Sequence, residues 1–260
     1  MVMVNPVITI DGPVASGKGT IARLLAETLR FHLLDSGAIY RAHAQACLSR
    51  HININEINSL EAQAKALSLK FVSEEIWLDG VDATAVIRSE AGGMAASTLS
   101  AIPQVRAALM QRQRDFAIAP GLVADGRDMG TVVFPDALLK IYLTATAQVR
   151  AERRTSQVAE QRVTQRLAAG ETMSAKQLIE KGKSPTMADL LETIRAQVPL
   201  EVEDKLRRDV EAQIRRRDWQ DKSREIAPLK PATDAIVIDN AAHSPEETVA
   251  AILKLWHLRF

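Results

Sequence analysis

Cysteine is all but missing from this chain: Cys47 stands alone among 260 residues. An intrachain disulfide is therefore excluded, and a reducing compartment is the expectation. An excess of charge of one sign is missing too. Lysine and arginine number 33 against 32 acidic residues, a formal net charge of +1. A bulk nucleic-acid binder carries a large cationic surplus, so that class is set aside, although a local basic patch fits within the total. Aromatics make up only 4%, with no stacking-aromatic motif of the kind that binds single strands. No apolar run reaches the length of a membrane span. The start lacks the basic-then-apolar layout of a signal peptide. A cytoplasmic protein, with neither membrane nor nucleic acid as partner, is the expectation. The remaining balance, 47% hydrophobic and 25% charged, is that of an ordinary globular chain, long enough to bury a full core.

One stretch organises the rest: Gly12-Pro13-Val14-Ala15-Ser16-Gly17-Lys18-Gly19-Thr20. It lies between an apolar run, Val7-Ile8-Thr9-Ile10, and an amphipathic run starting near Lys18. Strand, glycine-bounded loop and helix together form the setting in which a Walker A sequence has meaning. The loop must wrap backbone N–H groups around phosphate oxygens, so it needs small residues. The new helix adds unpaired N–H groups and a positive dipole end. Lys18 would reach the β- and γ-phosphates as a point charge. Ser or Thr usually follows the lysine. Here Gly19 intervenes, which makes Thr20 the candidate hydroxyl for magnesium. A glycine-rich turn with a stray lysine is the alternative, and the spacing and context favour the phosphate loop. The loop implies a nucleoside triphosphate and leaves the acceptor open.

Strands and helices alternate along the chain. Ile21, Leu24, Leu25 and Leu29 form a helical stripe. Phe31–Leu34 reads as a second buried strand, running into Asp35-Ser36-Gly37-Ala38-Ile39-Tyr40-Arg41. Ligands sit beyond strand C-termini in open α/β sheets, so Asp35, Ser36, Tyr40 and Arg41 are placed to meet substrate. A plain helix start, with Ser36 as cap and Arg41 as a solvated charge, fits the same residues equally well. From about Ile52 to Arg88 the pattern becomes α+β: a helix over Ile57–Leu67, a strand over Ser68–Ser73, then Ile76-Trp77-Leu78 turning at Asp79-Gly80. Helices follow, one capped by Ser89 and one begun by Pro103. Ser97 and Arg106 lie in these runs and are unremarkable by periodicity. Gly121–Ala124 reads as a third strand that ends at Asp125, the Walker B layout in which a carboxylate holds magnesium directly or through water. Met129–Pro135 reads as an apolar loop. Leu138–Leu143 and Ala235–Asp239 are the fourth and fifth strands. Ser244, Pro245 and Glu247 open the last helix with a capping box. The alternation predicts a doubly wound parallel α/β sheet of five strands. About ninety residues without strand character separate the fourth strand from the fifth. From Asp204 to Arg224 eight basic residues face five acids. Such a run is usually a solvated helix face. Phosphoryl transfer, however, needs cations and excluded water, and an arginine-bearing lid would supply both.

Gly12–Thr20, Asp35–Arg41 and Asp125–Pro135 together resemble the bacterial cytidylate kinases, within the nucleoside monophosphate kinases of the P-loop NTP hydrolase fold. Asp125-Gly126-Arg127-Asp128-Met129-Gly130-Thr131 is the most specific part, and the resemblance covers about 1–155 and 200–260. It implies a core over 1–40, 89–150 and 225–260, a monophosphate-binding insertion over 41–88 and a helical lid over 151–224. It implies ATP and magnesium as cofactors and CMP or dCMP as acceptors, in pyrimidine nucleotide metabolism, with a monomer as the default. Carried over residue by residue, the cytosine readers fall on Ser97, Arg106 and Asp128. Arg41 and Arg127 fall where the monophosphate is held, with Ser36 and Tyr40 beside them. The lid residues fall on Arg217, Asp218, Asp221 and Arg224, of which Arg217 and Asp221 approach the ribose and Arg224 the phosphates. Lys18, Arg127, Arg217 and Arg224 would carry the transfer, and Thr20 and Asp125 the metal. Two departures stand out. The lid is longer than the family pattern by about forty residues, near Gln157–Val198. Gln220 and Lys222 stand where arginines are common. The 41–88 segment also looks slightly short. Competing expectations are a P-loop kinase for UMP, AMP or a small alcohol, and a nucleotide-dependent switch whose ATP turnover ignores CMP.

Overall fold

The computed structural model describes residues 5–72, 75–168 and 200–259. The chain divides into two compact units. The first comprises Met1–Pro13, Gly17–Thr144 and Asp221–Phe260, the second Val14–Ser16 and Ala145–Gln220.

The first unit is built on five parallel strands: β1 (Val7–Asp11), β2 (His32–Asp35), β6 (Leu122–Gly126), β7 (Leu139–Thr144) and β8 (Ile236–Asp239), in the order β2-β6-β1-β7-β8. Between β2 and β6 a small antiparallel sheet joins β3 (Leu69–Val72), β4 (Glu75–Leu78) and β5 (Val81–Asp82). Helices cover both faces of the large sheet, so its central strands β1, β6 and β7 are buried almost end to end and do not alternate between buried and exposed residues. The two pleat faces go to different cores. Ile8, Ile10, Val123, Leu139 and Ile141 pack with Ile21 and Leu25 of α1 (Lys18–Leu29) and with Val249, Ile252 and Trp256 of α9 (Pro245–His257). Leu122 and Ala124 pack instead with α2 (Ser36–Ser49), α5 (Glu90–Leu99) and α6 (Pro103–Arg114). Each fully buried Ile or Leu contributes about 1.5–3 kcal/mol by leaving water. The expected capping box at Ser244 and Glu247 is present, and Ser89 caps α5 by accepting from Gly92 N.

Register places the site. Asp35 pairs with Asp125, and Asp11 with Gly126. Three neighbouring strands therefore end level, each bearing an aspartate at or next to its end.

Several boundaries differ from the sequence expectation. The third parallel strand runs Leu122–Gly126, so Asp125 lies inside it, because Asp125 and Gly126 still have ladder partners in β2 and β1. The stretch expected as an apolar loop contains a π-helical turn, Met129–Val133, whose Met129 and Gly130 N–H groups are taken by Asp11. The helix expected to reach Leu67 is α3 (Ile57–Lys65), and a short α4 (Thr84–Ile87) precedes Ser89. Asp35, not Ser36, caps α2, its carboxylate accepting from Ala38 N.

The second unit holds α7 (Ala147–Ala168) and most of α8 (Leu200–Lys222, whose last residues enter the first unit), and the basic run from Asp204 lies on α8. Ala151, Val210 and Ile214 pack there with Val14, Ala15 and Leu206. Most of the segment expected as an insertion, near 157–198, lies outside the described residues. Among the described residues no helix is long and apolar enough to cross a membrane.

Candidate functional site

The end of β1 and the start of α1 make the phosphate loop. Gly17 is the residue before the helix at φ 85, in the left-handed region that glycine enters freely. Lys18 is the first residue of α1, Gly19 the second and Thr20 the third, with Thr20 exposed. Gly19 is also a close-approach glycine: a β-carbon there would lie 3.2 Å from Asp125 Oδ2. Within the second unit, Val14 and Ser16 direct carbonyls toward α7, and Ala15 between them has φ 57.

Lys18 is poorly satisfied by protein. Its Nζ donates to Pro13 O at 3.4 Å and lies 4.0 Å from Asp125 Oδ1. Burial lowers its pKa to about 8, and the charge of Arg127 adds to that, against the pull of Asp125 and Asp35. An anion arriving here would reverse the shift. Burial likewise raises Asp125 to about 6, against the pull of Lys18. Its Oδ1 is buried and accepts no hydrogen bond. An anionic oxygen left bare beside the N-terminal turn of α1 suits magnesium, which takes one or two protein oxygens and completes its shell with water and phosphate. Among the described residues no cluster of three or more His, Cys, Asp or Glu forms a metal cage by itself. Arg41 is half-buried, with no hydrogen-bond or ion-pair partner among the described residues, and its charge is felt at both Lys18 and Asp125.

Deeper in the first unit, charged groups join into one chain of contacts. Arg106 Nη2 donates to Asp128 Oδ2, both side chains being almost wholly buried. Arg106 Nη1 reaches Ser100 O at 3.4 Å, and its guanidinium lies 6.0 Å from the Tyr40 ring centroid. Ser100 Oγ accepts from Arg224 Nη2 at 3.0 Å and donates to the carbonyl of Ser97 at 2.9 Å. Arg224 Nη2 also donates to Asp221 Oδ1 at 2.6 Å, and the other oxygen of Asp221 accepts from Arg127 Nε at 3.0 Å. Arg127 Nη1 donates to Gly126 O at 3.2 Å. Ser36 donates to Gln113 Oε1 at 2.7 Å. Burial raises the Tyr40 pKa, while nearby Arg106 opposes the rise.

Of the residues expected to form the site, Ser36, Tyr40, Ser97, Arg106, Arg127, Asp128, Asp221 and Arg224 come together in this assembly, and Lys18, Arg41 and Asp125 stand at the strand ends. Asp218 bonds Arg150 in the second unit, where Arg217 is its neighbour on α8. Four residues with clear roles went unassigned in the sequence. Asp11 holds the π-helical turn, and burial raises its pKa to about 7 despite those two N–H donors. Ser100 joins Arg106 to Arg224, Gln113 anchors Ser36, and Arg150 reaches Val14 O. An acid ending an apolar strand could have marked Asp11. Nothing local marks Gln113 or Ser100.

The family model described as cytidylate kinase matches residues 8–181 and 196–258. A cytidylate kinase of Ralstonia pickettii (strain 12J) is 44% identical over 251 residues, covering 96% of this chain and 91% of its own. One from Bordetella bronchiseptica is 45% identical, covering 96% of this chain and 95% of its own. A third, from Burkholderia ambifaria, is 45% identical over 253 residues, covering 97% and 93%.

Proposed function

The chain belongs to the cytidylate kinase family, and from that premise we propose that it transfers the γ-phosphoryl group of ATP to CMP and dCMP, giving CDP and dCDP. The observation that carries the proposal is the continuous run Asp128–Arg106–Ser100–Arg224–Asp221–Arg127. It joins a base-sized hydrogen-bonding pair to a group of arginines at the strand ends. Cytosine offers an amino group at C4 and acceptors at N3 and O2. A carboxylate and an arginine complement these. The oxygen of Asp128 that Arg106 leaves has no partner among the described residues, which supports its use for the amino group. Uracil would set a carbonyl against that carboxylate, so UMP is disfavoured. Ser97 lies at the same end, with Ser36 and Tyr40 shaping the wall.

Lys18 and the loop Gly12–Thr20 hold the ATP phosphates, and Arg41 and Arg127 hold the acceptor phosphate. Arg224 neutralises the group in flight. Arg217 is read as the contribution of a lid formed by 151–224, and 41–88 as the acceptor-side insertion. Magnesium, bound by Asp125 and Thr20 directly or through water, would offset phosphate charge. The acceptor phosphate has its second pKa near about 6 and is largely ionised at neutral pH, so no general base is required. Catalysis is then in-line positioning plus electrostatics. A cytoplasmic monomer working in pyrimidine nucleotide metabolism completes the proposal.

The test is ADP release with ATP and magnesium, titrating CMP, dCMP, UMP and AMP in parallel. CMP and dCMP should be strongly preferred, and Arg127→Ala should lose at least a hundredfold in turnover. Equal use of UMP would remove the proposed role of Arg106 and Asp128. ATP turnover indifferent to every monophosphate would overturn the kinase assignment.

A further inference from the structure

Among the described residues of the second unit, the proposed reaction leaves a buried cation unused. Arg150 lies in the first turn of α7 and is 4% exposed. Its Nε donates to Ala145 O at 2.9 Å. Nη1 donates to Val14 O at 3.0 Å and to Asp218 Oδ1 at 3.1 Å, and Nη2 donates to Asp218 Oδ2 at 2.5 Å. One turn further, Arg153 Nη1 reaches Ser16 O at 3.5 Å. These two carbonyls flank Ala15, whose φ of 57 is a conformation that L side chains rarely adopt. Val14 and Ala15 also pack against Ala151, Val210 and Ile214.

Those contacts have a common consequence. A loop that binds an anion turns its N–H groups inward, so its carbonyls must turn outward and find donors there. α7 supplies donors at the two carbonyls on either side of the strained residue. Asp218 fixes the guanidinium plane with a bidentate pair, which a lysine could not reproduce. We propose that Arg150, oriented by Asp218, is a positioning residue that holds the crown of the phosphate loop in its anion-binding form and so sets affinity for ATP without touching it. This rests on the reading of ATP as phosphoryl donor.

Isothermal titration of the full chain with β,γ-imido-ATP and magnesium, and separately with CMP, tests it. The variants are Arg150→Met, Arg150→Lys and Asp218→Asn. Arg215→Met serves as a charge control, since that side chain is exposed and pairs with Glu211. Arg150→Met should weaken the ATP analogue at least tenfold and leave CMP within twofold. Asp218→Asn should weaken it several-fold, and Arg150→Lys should fall between wild type and Arg150→Met. Analogue affinity within twofold of wild type in Arg150→Met and Asp218→Asn would overturn the proposal, as would equal losses for the analogue and CMP. If Arg150→Met does not fold, Asp218→Asn and Arg150→Lys decide by the same thresholds. A wild type that binds the analogue and responds to Arg150→Met as stated, yet shows no CMP-stimulated turnover, would remove the CMP assignment and support the positioning role. A wild type that does not bind the analogue would remove both.

Discussion

Asp221→Asn is the sharpest perturbation of the charged assembly, because one side chain, 3% exposed, neutralises two arginines. Its oxygens accept from Arg127 Nε at 3.0 Å and from Arg224 Nη2 at 2.6 Å. Asparagine keeps the shape, removes the charge and turns a donor toward one guanidinium. Removing one partner of a buried pair costs about 3–5 kcal/mol, and each hydrogen bond to a charged group about 1.5–3 kcal/mol. The arginines retain 18% and 12% exposure, so water takes up part of the charge and about 3 kcal/mol is the working figure. For a chain of this size that corresponds to a fall in Tm of roughly 6–12 °C, at about 2–4 °C per kcal/mol. The assay is thermal unfolding followed by circular dichroism, without ligand and with CMP saturating for each protein. With CMP present, its phosphate dianion stands in for the lost carboxylate, so the deficit should shrink by at least half. A fall below about 2 °C would show that the two arginines are not held by this carboxylate. An equal deficit with and without CMP would show that the phosphate does not sit between them.

Two further outcomes follow from single groups. Asp11 has its folded pKa raised from 3.8 to about 7. Between those values the native state keeps a proton that the unfolded chain has lost, so this group's contribution to stability is present below about pH 4 and falls as pH rises to about 7. Unfolding free energies of wild type and Asp11→Asn from urea titrations should therefore diverge, wild type losing a few kcal/mol relative to the variant between about pH 4 and pH 8, and parallel curves would refute the buried titration. In Gly19→Ala the new β-carbon, 3.2 Å from Asp125 Oδ2, should push the carboxylate and raise KM for magnesium–ATP several-fold, while the helix gains about 0.5–1 kcal/mol over glycine. A higher Tm with unchanged KM would mean that Asp125 does not serve the nucleotide.

What the sequence determined alone was whatever depends on near neighbours. The apolar runs, the loop Gly12–Thr20 and the capping box at Ser244 each draw their meaning from residues a few positions apart, where the chain's own geometry sets the distance. The five parallel strands followed from alternation, and the family from Gly12–Thr20, Asp35–Arg41 and Asp125–Pro135 together, with Asp125–Thr131 the most specific part. Strand ends were less legible, because whether Asp125 stays in β6 depends on ladder partners in β1 and β2 that local propensity does not report. Only the tertiary structure decided the wiring of the site. Arg106 meets Asp128 across 22 positions, Arg127 meets Asp221 across 94, and Arg224 meets Ser100 across 124. Arg150 finds the carbonyl of Val14 across 136. On helical spacing alone Arg106 is one more polar residue. Burial makes it matter: a guanidinium removed from water must find acceptors, and the parallel sheet brings them to the same end of the strands.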